Sequence, residues 1–478
     1  MSKIKHYYIR TFGCQMNHSD SERFSSIIEG MGYTPTKSIE EADLLVFNSC
    51  SVKQKAEDRI FGLGKKIAKL KARNSGLKVI LTGCMARRSW QGTTKTGSPI
   101  QMTQHDREVE LKKSLPWVDI VIETKDFGKL PTRLGFDTDF KRTPEHYLSY
   151  KPKHKNSFQA FVPISAGCDH FCTFCIVPFA RGGEICRKAH AILSEVRQLV
   201  ATGHKDITLL GQTANRWINP DFDQEMKKGM IANTRIDGLN TKLMKDATCD
   251  QPRDFLQLLQ RIDQIEGEWW MTFVSSHPNY MTLELINFLA QSEHFRPYLH
   301  FAMQSGSDEI LKRMNRRHTV QEFVDKTLLF KKMLPGVSLS TDVIVGFPGE
   351  THEQFMETAD VMRQLEFDMA FISEFSPRKG TAAGLLKDSI SRSEKARRKK
   401  YLNDEVLAKT ALKNNKKLLK TRQKILIEAV SDKGMRGRTG SFKDTLVTDS
   451  RDRSLIGKFL EATVIDCTPW ALTATIGG

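Results

Sequence analysis

No apolar run in this chain approaches the roughly 20 residues that a helical membrane span requires. Met1-Ser2-Lys3-Ile4-Lys5-His6 leads into a strand-like segment without the charged and apolar blocks of a signal peptide. The expected location is therefore the cytoplasm, with no membrane partner. Cysteine is scarce and odd in number, nine in 478 residues, which argues against a disulfide framework in a reducing compartment. Acidic residues are also in deficit: 56 Asp and Glu face 73 Lys and Arg, leaving a net charge of +17. Such an imbalance favours a polyanionic partner, whether RNA, DNA or an anionic membrane surface, and speaks of association and not of fold. The length leaves room for two to four domains with buried cores.

Three of the cysteines stand together in Gly167-Cys168-Asp169-His170-Phe171-Cys172-Thr173-Phe174-Cys175, a Cys-x3-Cys-x2-Cys spacing. A soft metal or cluster is the natural reading. A structural zinc ion closes with four ligands, and His170 offers a fourth. An iron–sulfur cube held by three thiolates would instead keep one iron open for chemistry. This spacing, with Phe174 before the third cysteine, resembles the signature of the radical S-adenosylmethionine (SAM) enzymes. The resemblance implies that Cys168, Cys172 and Cys175 hold a 4Fe-4S cluster whose open iron chelates SAM, and that an electron from it cleaves SAM to a 5′-deoxyadenosyl radical.

In the N-terminal third, His6–Phe12, Asp43–Asn48, Leu77–Thr82 and Val118–Ile122 are short apolar or β-rich runs separated by helix-like segments, the pattern of a parallel sheet of βαβ units. Ser19-Asp20-Ser21-Glu22 reads as a capping box for the first helix, with Phe24, Ile27, Ile28 and Met31 on one face and Gly32 as its stop. Each of the first three strands runs into a cysteine: Cys14, Cys50 and Cys84. Strand carboxyl ends of a parallel sheet share one edge, so these three are expected to converge. Thr11-Phe12-Gly13-Cys14-Gln15-Met16-Asn17, Asn48-Ser49-Cys50-Ser51-Val52-Lys53-Gln54-Lys55-Ala56 and Thr82-Gly83-Cys84-Met85-Ala86 resemble the three segments that hold the auxiliary cluster of the radical SAM methylthiotransferases. Gly-Cys-Gln-Met-Asn is similar to the tRNA-modifying, MiaB-type branch; the ribosomal-protein branch, RimO type, more often has Pro-Lys after the cysteine. The Gly-, Thr-, Ser- and Gln-rich stretch 89–105 is longer than the family's usual connection and reads as a surface loop.

Beyond a polar linker, strand-like runs recur at Phe158–Ile164, Asp206–Leu210, Trp270–Val274, Tyr298–Gln304, Val337–Val345 and Met369–Phe375, with helical patterns between them. Six β/α repeats make a partial barrel whose site lies at the strand carboxyl ends. Arg181-Gly182-Gly183-Glu184 resembles the motif that binds the amino group of SAM, assigning Gly183 and Glu184. Gln212, Gln304, Ser305 and Asp342 resemble family positions around the SAM pocket. Glu350 has an alternative reading as the cap of the next helix. Arg216 and Trp217, before an insertion-like stretch reaching about residue 252, are candidates for stacking on RNA bases. Cys186, Cys249 and Cys467 read as incidental or structural thiols.

Ser391–Lys424 carries 13 Lys and Arg against 3 Asp and Glu. Leu402, Val406, Lys409 and Leu412 keep helical spacing, so a helix with one packed and one phosphate-facing basic side is expected. The remaining residues alternate polar and apolar positions over four or five short strands punctuated by Gly434, Gly437, Gly440 and Gly457. This small β-barrel resembles the RNA-binding TRAM domain, with Arg436, Arg438, Lys443 and Lys458 on its basic surface.

The expected architecture is thus α/β: an N-terminal parallel α/β domain over 4–140, a linker over 141–156, a partial (β/α)6 radical SAM barrel over 157–390, a basic helical linker over 391–420 and a TRAM-like β-barrel over 421–478. The resemblance implies methylthio transfer to C2 of N6-isopentenyladenosine at position 37 of tRNA, with two 4Fe-4S clusters, two SAM per turnover, a flavodoxin- or ferredoxin-type electron donor and a monomeric enzyme. The alternatives are a methylthiotransferase acting on an aspartate of ribosomal protein S12, one acting on threonylcarbamoyladenosine in tRNA, and a non-catalytic RNA-binding protein with structural zinc.

Overall fold

The computed structural model describes residues 5–52, 54–87, 104–136, 146–154, 156–222, 251–378 and 380–477. Most of the stretch 89–105, residues 223–250 of the second insertion, and Cys249 lie outside them. The described chain forms two compact units, each discontinuous in sequence: residues 1–155, 166–187 and 378–385 in the first, and residues 156–165, 188–377 and 386–478 in the second. Among the described residues, no helix is long and apolar enough to cross a membrane.

The first unit is built on a parallel five-stranded sheet in the spatial order Tyr33–Pro35, Lys5–Phe12, Leu44–Ser49, Lys78–Thr82, Ile120–Val121. Alternate residues of its strands enter two separate cores. Leu45, Phe47, Val79 and Leu81 pack with Ile60, Ile67, Leu70 and Leu111 of the helices on one face. Leu44, Val46 and Ile80 pack with Phe24, Ile27 and Ile28 on the other. Burial on both faces is why these strands read as unbroken apolar runs. The short strand Tyr33–Pro35 escaped the sequence pattern because three residues ending in proline carry no periodicity. The first helix, Gln15–Gly30, starts four residues before the expected capping box: Cys14 is its N-cap, and Ser19 and Glu22 lie inside it. Tyr147 and Leu148, in the stretch read as a linker, are buried in the second core.

In the second unit, six parallel strands follow one another as Gln159–Pro163, Asp206–Leu210, Trp270–Phe273, Tyr298–His300, Ser338–Val345 and Met369–Glu374. Parallel bridges Met271–Phe295 and Ser276–Phe301 join the two three-stranded halves. Each expected strand is present, trimmed by a residue or a few at most ends. The following helices are capped locally, as by Thr319 with Glu322 and Thr351 with Gln354.

The C-terminal residues of this unit form a closed five-stranded barrel, ordered Arg422–Ser431, Gly434–Thr439, Asp444–Val447, Leu472–Thr475, Phe459–Cys467, around Ile425, Ile427, Met435, Val447, Ala462 and Ala474. Gly434, at φ of +135°, opens its strand directly after the turn from Ser431, as expected, whereas Gly437 does not punctuate strands but lies within one, where a Cβ would collide with the Leu426 carbonyl. Arg296 fastens this barrel to the (β/α)6 sheet. Its buried guanidinium reaches Asp206 at 3.0 Å and the carbonyls of Thr439 and Gly440 at 2.6 and 3.1 Å, and stacks on Trp270 and Phe442.

The basic helical segment runs Arg392–Tyr401, widens to a π-helical turn over Leu402–Leu407 and continues as Ala408–Lys416. The wider turn shifts the packed face, so Ala411 and Asn415 are buried and Lys409 is exposed. Part of the charge points inward as well: Lys395 bonds Asp388 at 2.5 Å, and Arg398 bonds Glu350 at 2.7 Å. Glu350 also accepts from the Gly346 N–H, closing that loop, and Thr351 caps the helix in its place.

Candidate functional site

The strand ends of the first unit bring three thiols together. Cys14 lies just beyond Phe12, Cys50 directly after Ser49 and Cys84 at the start of the short helix Cys84–Arg87 beyond Thr82. The three strands are adjacent, in the registers Phe12–Ser49 and Asn48–Thr82. Cys50 is within hydrogen-bonding reach of both Cys14 and Cys84. Cys50 and Cys84 are buried, while Cys14 is exposed.

Two asparagines align these loops. Asn17 and Asn48, both fully buried, bond side chain to side chain at 2.9 Å, and Asn48 also reaches the Asn17 carbonyl at 2.8 Å. Asn17 Oδ1 accepts from the Cys14 N–H at 3.3 Å. A Cβ on Gly13 would strike Asn17 Oδ1, and one on Gly83, whose φ is +88°, would strike Asn48 Oδ1. The Gly-Cys pairs of the sequence thus make room for asparagines that tie one cysteine loop to the next.

The thiols do not share one acidity. The hydrogen bond with Cys50 lowers Cys14 to about 5, against the loss of solvent around its sulfur from the packed neighbours and with help from the Arg181 charge and backbone N–H groups. Cys84 falls to about 7 for the same first reason, again with Arg181 assisting. Cys50, hydrogen-bonded with both neighbouring sulfurs and buried, is pushed far up. Two thiols therefore have thiolate character at neutral pH, the form that binds metal. Among the described residues no three His, Cys, Asp or Glu side chains converge on a single metal ion. An all-thiol set brought together from three strand ends suits an iron–sulfur cluster, whose thiolates bind different irons.

The second triad belongs to the same unit. Gly167, with φ of +85°, lets the loop pass against the Gly182 and Gly183 carbonyls, which leave no room for a Cβ. Cys168 N–H donates to the Gly182 carbonyl at 3.1 Å and Cys175 N–H to the Cys172 carbonyl at 2.9 Å. All three cysteines are partly exposed. The Glu184 N–H is held by Asp169 Oδ1 at 3.1 Å, tying the Gly-Gly-Glu turn to the cysteine loop. Ile176 and Ala180 pack on Cys84.

Comparison with known proteins decides the family. Residues 6–103 match the model of an uncharacterized protein family, UPF0004, and residues 162–362 that of the radical SAM superfamily. A tRNA-2-methylthio-N(6)-dimethylallyladenosine synthase of Clostridium botulinum (strain Langeland) is 33% identical, covering 99% of this chain and 97% of its own length. Proteins of the same description from Finegoldia magna and Corynebacterium urealyticum are 33% and 34% identical; each covers 98% of this chain, and 93% and 82% of their own lengths are matched. The chain belongs to the tRNA-2-methylthio-N(6)-dimethylallyladenosine synthase family. It is an enzyme, and its radical SAM membership implies a 4Fe-4S cluster and SAM. Among solved structures, the radical SAM methyltransferase TsrM from Kitasatospora setae overlaps with a TM-score of 0.47 at 12% identity, over 80% of this chain and 75% of that one.

Within this synthase-family chain, the other expected site residues differ in setting. At the strand ends of the (β/α)6 sheet, Gln304 is half-buried at φ of +73°, and its N–H bonds the Asp342 carbonyl at 2.8 Å. The Asp342 carboxylate faces His300 at 3.4 Å. Gln212 is half-buried. Ser305 is fully buried, its hydroxyl 3.4 Å from that of Thr358 and accepting the Ser307 N–H. Trp217 is a core residue at 1% exposure, and Arg216 is half-buried. On the terminal barrel, Lys458 and Arg436 are exposed, the latter paired with Asp444. Arg438 lies between Glu428 and Asp444, and Lys443 is nearly covered, 2.5 Å from Asp368. Cys186 is half-buried, as is Cys467 at the end of its strand.

Sequence reasoning passed over four contributors. Asn17 and Asn48 were visible only as parts of motifs. Arg181 opens the Gly-Gly-Glu turn, yet its side chain goes to Cys84. The segment Arg378–Leu385, far downstream, returns to the first unit. There Arg378 bonds Gln54 at 2.7 Å and the Val52 carbonyl at 2.8 Å, beside the Cys50 loop, while the Ala383 N–H bonds the Thr173 carbonyl at 2.8 Å inside the other cysteine loop. No local pattern announces a strap of this kind.

Proposed function

We propose that this chain replaces the C2 hydrogen of N6-isopentenyladenosine, at position 37 beside the anticodon of tRNA, with a methylthio group. The observation that carries the reading is the presence in one compact unit of two cysteine triads, one in a single loop and one at three adjacent strand ends. Family membership supplies the substrate class. The adenine C2–H bond is not acidic, so general acid–base groups have little to act on. A 4Fe-4S cluster bound at Cys168, Cys172 and Cys175 supplies reductive cleavage of SAM, chemistry able to attack such a bond.

On this reading Gly183 lets the backbone approach SAM and Glu184 faces its ammonium, while Gln212, Gln304 and Asp342 contact its polar groups; Ser305, bonded to Thr358, supports the turn that carries Gln304. Cys14, Cys50 and Cys84 hold the auxiliary 4Fe-4S cluster that brings the sulfur, and two SAM molecules are used per turnover. Lys458, Arg436 and Arg438 line the RNA-facing side of a TRAM-like barrel over 421–478, following the domain division 4–140, 157–390 and 391–420 read from the sequence. A flavodoxin- or ferredoxin-type donor, a monomeric state and a cytoplasmic location complete the reading.

The test is anaerobic reconstitution with iron and sulfide, followed by SAM, a reductant and tRNA bearing isopentenyladenosine, with mass spectrometry of the digested nucleosides. The expected product is 2-methylthio-N6-isopentenyladenosine. Formation of 5′-deoxyadenosine without it would overturn the substrate assignment and keep the radical site.

A further inference from the structure

Arg181 is held by partners that all belong to the first unit. One guanidinium NH2 group bonds Asp20 Oδ2 at 2.7 Å, the other faces the Tyr147 hydroxyl at 3.5 Å, and Nε donates to Cys84 Sγ at 3.2 Å. Both charged side chains are almost wholly buried, Arg181 at 3% and Asp20 at 0% exposure. Asp20 stands on the helix that Cys14 caps, so the anchor of this guanidinium is fixed to one cysteine while its free N–H is aimed at another. The main chain continues the link: Arg87, on the helix begun by Cys84, donates to the Arg181 carbonyl at 2.6 Å, and Cys168 N–H bonds the next carbonyl, Gly182.

A buried ion pair is seldom the most stabilising filling for such a space, since apolar residues of similar volume serve as well or better. Its directional content is the N–H···S bond. Hydrogen bonds to cysteine sulfur and nearby positive charge stabilise the more negative, reduced state of an iron–sulfur cluster.

We propose that Arg181 is a positioning residue of the auxiliary site: clamped by Asp20, it donates a charged hydrogen bond to the Cys84 sulfur and raises the reduction potential of the cluster bound at Cys14, Cys50 and Cys84. This rests on the auxiliary-cluster reading given above. The same residue also fixes the spacing between the two cysteine triads through its carbonyl and that of Gly182.

The experiment uses the full chain carrying Cys168→Ala, Cys172→Ala and Cys175→Ala, so that reconstitution loads only the strand-end site. Iron and sulfide per chain are measured first, then the reduced fraction in an EPR-monitored redox titration with dithionite. Combining Arg181→Gln with Asp20→Asn keeps the buried groups neutral and hydrogen-bonding. The expected result is equal iron content and an at least tenfold shift of the one-electron equilibrium toward the oxidised cluster, about 59 mV. A loaded double variant with unchanged potential overturns the proposal. Should that variant fail to fold, pulsed EPR of the reduced cluster in the Arg181 chain labelled with 15N-arginine decides. A 15N coupling lost in Arg181→Lys supports the bond, and absence of any such coupling overturns it. If the chain with Arg181 intact binds no iron at all, the auxiliary-cluster reading itself falls, and this inference with it.

Discussion

Cys168, Cys172 and Cys175 are delivered by one loop, whereas Cys14, Cys50 and Cys84 arrive on three adjacent parallel strands and meet only when the sheet has formed. The first triad is local: its spacing is written in the chain, and glycine backbone contacts set its shape. The second is assembled, and depends on sheet order, on the Asn17–Asn48 pair and on Arg181. Two sites of similar composition in one unit therefore differ in what can destroy them.

The sharpest way to separate them is chemical. Cys168→Ala should reduce both 5′-deoxyadenosine and methylthio product to background, whereas Cys14→Ala should remove the product alone, as nucleoside mass spectrometry and deoxyadenosine assays would record. Equal loss of deoxyadenosine in both variants would break the distinction between the triads. Asn48→Ala comes next. Leaving Asn17 without its buried partner should cost about 1–3 kcal/mol, read from denaturant unfolding, and should lower iron bound at the strand-end site while sparing that at the loop.

Arg378→Gln probes the strap that touches both loops. Loosening the Cys50 side while the Ala383–Thr173 bond persists should cut product formation roughly tenfold through misplacement, with 5′-deoxyadenosine formation nearly unchanged. The smallest effect concerns charge that looks alike in the sequence and is sorted by the fold. Lys458→Glu should weaken tRNA binding a few-fold and reduce the salt slope by about one. Lys443→Met should leave that slope alone and cost about 1–3 kcal/mol of stability through loss of the Asp368 pair. Filter binding over a salt series, with thermal unfolding alongside, distinguishes the two.

Much of the scaffold was legible. Leu44–Phe47 is apolar without interruption because both faces of its strand are covered, and the six barrel strands could be placed from short β-rich runs alternating with helical patterns. The cysteines could be placed at a shared edge because parallel topology dictates where strands end. The loop triad was visible as spacing alone. What stayed hidden depends on contacts across long separations. Nothing near Arg181 reveals that Asp20 will hold it, and nothing near Arg378 reveals the Cys50 loop. Cys14, read only as a possible ligand, also begins a helix. The π-helical turn at Leu402–Leu407 displaced the expected packed face because helical spacing presumes an unbroken α-helix. Lys395, Arg398 and Lys443 counted toward a basic surface in the sequence, yet each is largely covered and paired with a carboxylate, Asp388, Glu350 and Asp368 in turn.

The return of Arg378–Leu385 to the first unit also has a bearing on synthesis. A chain growing from its N-terminus exposes the five-stranded sheet early, and domains generally fold as they emerge. This unit cannot be finished then, because its last piece is translated after the whole six-stranded sheet. At 5–20 residues per second, the interval between residues 155 and 385 is on the order of ten to fifty seconds. Throughout it, the loop after Cys50 lacks Arg378, and the loop from Cys168 to Cys175, once made, lacks the bond from Ala383. The first unit, begun before all else, is therefore completed only after the six-stranded sheet of the second has been made.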